Sequence, residues 1–292
     1  MRFADPFTRT QEDTRKVKTQ TTRQTVEVKA DAEGIVSHAG AHLLAELADR
    51  VGLPAALSAA TASTRERRSA HDPGVVLRDL VVAIADGGDC VTDLGVLRDQ
   101  EALLGAVASE RTAHRVIKSI DAGLLEALRG ARAAARERAW GAGGRPETIT
   151  LSIDAILLGA ASEKEGAAGN YKGGFGFHPL LCYLDETGEP LAGLLRPGNA
   201  GANSASDHFE VLQLALEQLP EADLDREILV RTDIGGRTHA FTRDCREAGI
   251  RFSVGCEVDE RVREAILRMP ESAWRPRSTA KARCARAPGS QS

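Results

Sequence analysis

The sequence predicts an α/β domain, a mixed sheet with helices on its faces, preceded by an all-helical N-terminal domain. Three observations carry this prediction. Apolar residues recur at helical spacing from residue 35 to residue 140. "GAGGRPE" (141–147) then interrupts the pattern with three glycines, a proline and no hydrophobic period. Beyond it, β-branched apolar runs and helical stretches follow one another in the order β-β-β-α-β-α-β-α, which is the texture of an α/β domain.

In the helical part, "AGAHLLAELADRVGLPAAL" places Leu43, Leu44, Leu47 and Val51 on one face, and the Gly52-Leu53-Pro54 break ends that helix. After the charged linker "STRERRSAHDPG", Pro73 opens a second helix, closed by Gly87-Gly88. "VTDLGVLRDQEALLGAV" and "SERTAHRVIKSID" read as short helices, with Ser109 and Thr112 as candidate caps for the latter. A longer Ala/Arg/Leu helix runs from Asp121 to Trp140. Short helices with tight turns and outward Arg111, His114, Arg115 and Lys118 suit a helix-turn-helix reader of DNA and suit a plain helical bundle equally well.

In the second part, "TITLSIDAILLGA" is the first strand and "SEKEGAAGNYKGG" the loop after it. "FGFHPLLCYLDE" is the second strand, and "TGE" turns it into a third, "PLAGLLRPG", as a hairpin. "SDHFEVLQLALEQL" is an amphipathic helix capped by Ser206 and Asp207, with Phe209, Leu212, Leu216 and Leu219 on its apolar face. "REILVRTD" is the fourth strand, "RTHAFTRDCREAG" a helix, "IRFSVGCEV" the fifth strand and "DERVREAILRM" a last helix.

Bulk properties narrow the class. The 292-residue length suits a pair of domains of about 150 residues each, and the 42% hydrophobic and 27% charged fractions are those of a chain with a core. The net charge of −4 conceals a weakly basic arm, with seven basic residues against four acids between Met1 and Lys29. Such an arm reads as a solvated tail or as a phosphate-binding one. Five scattered cysteines without a CxxC pair argue against a zinc module and suit reduced thiols. No apolar run is long enough to span a membrane and the N-terminus is polar, so a cytoplasmic chain without a membrane partner is expected.

Two acids stand out. Asp154 lies inside the first strand beside Ile153 and near Ile156, where an unpaired carboxylate costs several kcal/mol. Asp233, in "ILVRTDIGG", occupies the matching place at the end of the fourth strand. In a ribonuclease-H-like sheet the first and fourth strands are neighbours, so the two carboxylates would face each other. At ~4 Å and an effective dielectric near 20, they would repel by about 4 kcal/mol, a penalty that a divalent cation removes. Hard oxygen ligands favour Mg²⁺ or Mn²⁺, and the chemistry that uses such a pair is two-metal phosphoryl transfer. The competing reading makes Asp233 a turn former before Gly235-Gly236 and Asp154 a strand-edge residue.

"YKGGFGFHPLLCYLDETGEPLAGLLRPGNAGANSASDH" (171–208), with "SEKEGA" before it and "ILVRTD" and "THAF" after it, resembles the DDE-type insertion-sequence transposases of bacteria across roughly residues 20 to 275. The resemblance implies a helical region that binds DNA ends, a ribonuclease-H-like catalytic domain, and Asp154 and Asp233 as the first two acids of a metal-binding D-D-E triad. It also implies Mg²⁺ or Mn²⁺ as cofactor, terminal-repeat and target DNA as partners, and a homo-oligomer. The expected domains are a polar basic arm (1–34), a DNA-binding helical domain (35–140), a linker (141–147), the catalytic domain (148–274) and a basic tail (275–292). Lys172, His178, Arg196 and Arg231 are the cations or donors expected near a DNA phosphate, while Asn199 and Asn203 read as turn residues and His178, His208 and His239 as structural histidines. No GK[ST] follows the glycines of this block, which excludes a nucleotide-binding P-loop.

The sequence departs from that pattern at Ser152, Ile156 and Ile234, each beside an expected ligand, and above all at its end. Glu257, Glu260, Glu264 and Glu271 are the late acids, none in the expected context of the third ligand, and "RPRSTAKARCARAPGSQS" has the look of a shifted reading frame. A catalytic domain cut short, inactive and with uncovered apolar surface, is the expectation. A non-enzymatic DNA-binding remnant that occupies element ends or inhibits full-length copies is the alternative, ahead of a general ribonuclease-H-like nuclease.

Overall fold

The computed structural model describes residues 38–65, 70–161, 163–201 and 204–274, and the backbone of two short strands ahead of them. These are β1 (Arg15–Val17) and β2 (Val26–Val28), an antiparallel pair with Lys16 opposite Glu27. The rest of the expected basic arm, Asn203, and the tail 275–292 lie outside the described residues.

Seven helices follow: α1 (Ala39–Arg50), α2 (Leu53–Ala60), α3 (Pro73–Ala85), α4 (Leu94–Arg98), α5 (Glu101–Leu104), α6 (Glu110–Lys118) and α7 (Ala122–Ala139). Gly52-Leu53-Pro54 ends α1 as expected, but it also begins α2. Gly52 adopts φ 70°, and Pro54 falls in the first turn of α2, where its missing N–H is no loss. Asp72 caps α3 by accepting from Gly74 and Val75 backbone N–H, with Pro73 at the first helical position. A side chain at Gly74 would put its Cβ 2.1 Å from the backbone N of Ser58, so α2 and α3 cross as closely as backbones allow. The core of this part is built from Ala41, Ala45, Val76, Leu94, Leu97 and their neighbours.

The buried core of the first half ends at Val116 and that of the second begins at Trp140, just ahead of the 141–147 stretch. Helix α7 holds both halves together. Arg138 donates to the carbonyl of Val51 on one side, while Arg132 donates to Pro190 O and Arg136 clasps Glu189 and Gln218 O on the other. Trp140, in the turn that follows, is buried in the core of the second half. The chain reverses at Gly143 with φ 113°, a conformation that needs glycine.

The second half contains β3 (Ile149–Ala155), β4 (Leu158–Gly159), β5 (Ala168–Gly169), β6 (Phe175–Phe177), β7 (Leu180–Leu184), β8 (Glu189–Leu194), α8 (Ala205–Leu216), α9 (Glu221–Leu224), β9 (Ile228–Thr232), α10 (His239–Glu247), β10 (Arg251–Val254) and α11 (Glu260–Arg268). The main sheet runs β10-β9-β3-β7-β8; β7 and β8 are antiparallel to their neighbours, while β9 and β10 are parallel to β3. The first strand therefore lies between the second and the fourth, which is the ribonuclease-H-like order. Ile149, Leu151 and Ile153 point to the face covered by α8, whose Val211, Leu212 and Ala215 are fully buried against it. No helix among the described residues is long and apolar enough to cross a membrane.

Four local expectations need correction. "TITLSIDAILLGA" is two strands, β3 ending at Ala155 and Leu158–Gly159 joining a different sheet as β4. "FGFHPLLCYLDE" is two strands, because Pro179 has no N–H to continue the ladder, and β6 pairs instead with β4 and β5 in a separate three-stranded flap. The loop before it accordingly contains β5. Helix α8 is capped by Ser204, whose Oγ accepts from Asp207 N–H, and not by Ser206 or Asp207.

Candidate active site

Strands β3 and β9 are in parallel register up to Ile153 opposite Thr232, and Asp154 and Asp233 are the next residue on each. Both carboxylates are exposed. This corrects the expectation of a carboxylate embedded among isoleucines. Side chains alternate along a strand, so Asp154 points away from the buried Ile153 and is not desolvated. The register thus brings the two acids to the ends of neighbouring strands, with Asp233 near enough to His208 of α8 for its charge to act on that imidazole.

Each carboxylate is half engaged. Asp154 Oδ1 accepts from the N–H of Ala155 at 2.8 Å, and Asp233 Oδ1 accepts from the N–H of Gly235 at 2.8 Å. Among the described residues nothing bonds either Oδ2, and no Lys or Arg side chain is ion-paired with either acid. Asp233 is therefore a turn former, as one reading of the sequence held, and still has an oxygen to spare. Two small residues seat it. A Cβ at Gly236 would lie 2.2 Å from Thr232 Oγ1, and one at Gly255 would lie 2.9 Å from Ile234 N. Gly255 N–H also donates to Thr232 O, locking the loop after β10 against the Asp233 turn. Nothing local in "SVGCEV" marks Gly255; only its neighbour in space does.

The four basic or donor residues expected beside the acids divide. Lys172 is exposed at the tip of the flap, and Arg231 is exposed but paired with Asp185 at 3.0 Å. Arg196 is buried: Nε donates to His178 O, and Nη1 donates to Gly201 O and Asp207 Oδ2. His178 is buried with Nδ1 on Ala200 O. These two are fastenings between the flap, β8 and α8 and do not face solvent as the expectation required. His208, on the buried face of α8, bonds Ser204 O and packs against Phe241; burial holds its pKa below the usual histidine value. Burial likewise pushes the thiols of Cys182 up to about 12 and Cys245 up to about 11, so neither supplies a thiolate nucleophile at neutral pH.

Far from the acids in sequence, Arg111, His114, Arg115 and Lys118 form one exposed stripe on α6, opposite the buried Ala113 and Val116. None of the four has an ion-pair partner among the described residues. Among those residues, too, no three His, Cys, Asp or Glu side chains converge as a metal cage, and the late acids are all exposed. Two carboxylates with unengaged oxygens and no compensating cation fit hard divalent metal as a pair.

Comparison with known proteins gives a family. Solved structures similar to the chain include a piggyBac transposase synaptic complex with hairpin DNA, at 13% identity and TM-score 0.37 over 81% of this chain. They also include the Mos1 mariner paired end complex with Mn, at 9% identity and TM-score 0.26 over 64% of this chain and 60% of that one. The chain spans 54% of the length of the piggyBac protein it matches. No curated protein matches it. The family model described as "Transposase DDE domain group 1", however, matches residues 18–290, and so nearly the whole sequence is accounted for by one family: the chain belongs to the DDE transposases of group 1.

Proposed function

We propose that this chain carries the phosphoryl-transfer centre of a DNA transposase, with Asp154 and Asp233 as the metal-holding pair and α6 as a DNA-contacting element. The observation that carries this reading is the register of β3 and β9, which leaves two exposed, uncompensated carboxylates side by side at the strand ends. The backbone bonds from Ala155 and Gly235 engage each Oδ1 and leave each Oδ2 for a metal. Mg²⁺ or Mn²⁺ bound there would supply Lewis-acid polarisation of a scissile phosphate and of the attacking hydroxyl. Arg231, two residues before Asp233, is already paired with Asp185, and the turn at Asp233, braced by Gly236 and Gly255, holds its position without large side chains. With no third acid assigned, whatever nicking of a supercoiled plasmid carrying the element ends this chain supports is expected to need Mg²⁺ or Mn²⁺ and to stop in EDTA. Nicking that continues in EDTA would sink the reading.

The exposed stripe on α6 suits phosphates, since Arg and Lys that are not consumed by internal pairs release counterions on binding DNA. Replacing Arg115 and Lys118 together by alanine is expected to weaken duplex binding at every sequence. It should also lower the slope of log affinity against log salt by roughly 1 for each phosphate that is no longer neutralised. Anisotropy titrations across a salt series measure both, and an unchanged slope would remove α6 from the interface.

A further inference from the structure

We infer that the β4–β5–β6 flap carries a stacking subsite for one unpaired nucleotide beside the acid pair, formed by Tyr171 with Lys172. The inference rests on the phosphoryl-transfer reading above, since it takes a DNA strand at Asp154 and Asp233 as given. Tyr171 is 74% exposed, more than any other aromatic side chain among the described residues. An aromatic ring in water has no packing reason to be held there.

The flap nonetheless holds it in place. Asn170 Oδ1 accepts from the N–H groups of both Lys172 and Gly174, Asn170 N–H donates to Gly174 O, and Gly173 N–H donates to Asn170 O. Gly173 takes φ 80°, which closes this tip without strain. The ring of Tyr171 is tilted against His178, with centroids 6.1 Å apart, and His178 is itself pinned by Ala200 O. Lys172 Nζ lies 5.6 Å from the centre of the same ring.

The location ties this tip to the acids. His178 is separated from Leu180 by Pro179 alone, and Leu180 pairs with Ala155, the neighbour of Asp154. Ring and carboxylate therefore belong to the same end of the sheet. Exposed apolar side chains at Ile156, Leu158 and Phe175 belong to the segments that join them.

An exposed ring with a cation over it is a way to hold an unpaired base, the base stacking on the ring and the ammonium turning to the adjoining phosphate. A base inside a duplex has both faces covered by its neighbours, so the occupant is a nucleotide freed at a strand end, a nick or by flipping. No other aromatic–cation contact in the described residues has this geometry. Arg246 over Phe252 is the other such pair, and Phe252 packs against the core of the sheet.

The test uses the full chain and hairpin duplexes carrying the element end, blunt or with a short 3′ overhang that contains 2-aminopurine, in EDTA so that no cleavage intervenes. Wild type is expected to bind the overhang probe more tightly than the blunt one and to quench its fluorescence. Tyr171→Ala is expected to lose about 5- to 150-fold in affinity for the overhang probe, the range for one stacked base, with blunt binding unchanged. Tyr171→Trp is expected to restore both affinity and quenching, which a merely structural tyrosine would not predict. Equal overhang affinity for Tyr171→Ala and wild type, or equal losses on both probes, overturns the subsite. Nicking separates the two ideas. Tyr171-dependent overhang binding by a chain that nicks only independently of metal sinks the phosphoryl-transfer reading and leaves the subsite standing; metal-dependent nicking with Tyr171 neutral does the reverse.

Discussion

Asp233→Asn is expected to abolish metal-dependent strand cleavage, by about 10³-fold or more, while leaving the fold intact. A loss of that size is about 4 kcal/mol of transition-state stabilisation. The variant is informative because Asn keeps what a turn former needs, an oxygen to accept from Gly235 N–H, and removes only the negative charge. A residue that serves the turn alone would tolerate the change. A metal ligand would not, since a neutral amide is a poor ligand beside a second carboxylate. Asp233→Ala adds the loss of the cap, expected at about 1 kcal/mol, and the exposed side chain leaves no cavity. Initial nicking rates at saturating Mg²⁺, measured beside thermal melts, separate the two roles. Wild-type nicking by Asp233→Asn would return the residue to the turn.

The largest effect on stability is expected from Asp223→Ala. Asp223 is fully buried and accepts from Arg145 at 2.7 Å and from Arg226 at 2.8 Å, while Arg226 also donates to Pro146 O and Glu147 O. The carboxylate thereby ties the segment entering β3 to the segment entering β9, the two strands that carry the acids. Removing one member of a buried ionic cluster typically costs about 3–5 kcal/mol. Arg145 and Arg226 are partly exposed and can rehydrate, so the lower end, about 3 kcal/mol, is expected here. For a chain of this size that is roughly a 6–12 °C fall in the melting temperature, read by calorimetry. An unchanged melting temperature would mean that the cluster contributes no net stability. Asp223→Asn should lie between, because it keeps the shape and part of the hydrogen bonding.

Much of the architecture was legible in the sequence because the signals are local. Pro73 at the start of its helix, Ser109 before "ERTAHRVIK" and the "TGE" turn each specify a start, a cap or a reversal within a few residues. So were the adjacency of the first and fourth strands and the exposed stripe on α6. What escaped the sequence is decided in three dimensions. Flanking isoleucines suggested a buried Asp154, yet strand alternation turns it outward. Arg196 looked like a phosphate-facing cation because its partners, Asp207 and the carbonyls of His178 and Gly201, are set by tertiary packing. Gly255 has no signature at all, since the reason for it is the Asp233 turn that passes beside it. The break at His178-Pro179 was visible in principle, as proline cannot continue a central strand.

The long helix α7 sets the limits of how this protein can be dissected. Its 18 residues make a rod of about 27 Å that is fastened to Val51 on one side and to Glu189 on the other, and Trp140 is seated in the sheet's core. A fragment begun at residue 148 would therefore have an empty socket where the indole belongs and an unclasped Glu189. One begun at Asp121 would keep the cap of α7 and the whole rod. On the proposed function, a helix fastened to both halves would couple the place where DNA lies on α6 to the phosphate that reaches the acid pair.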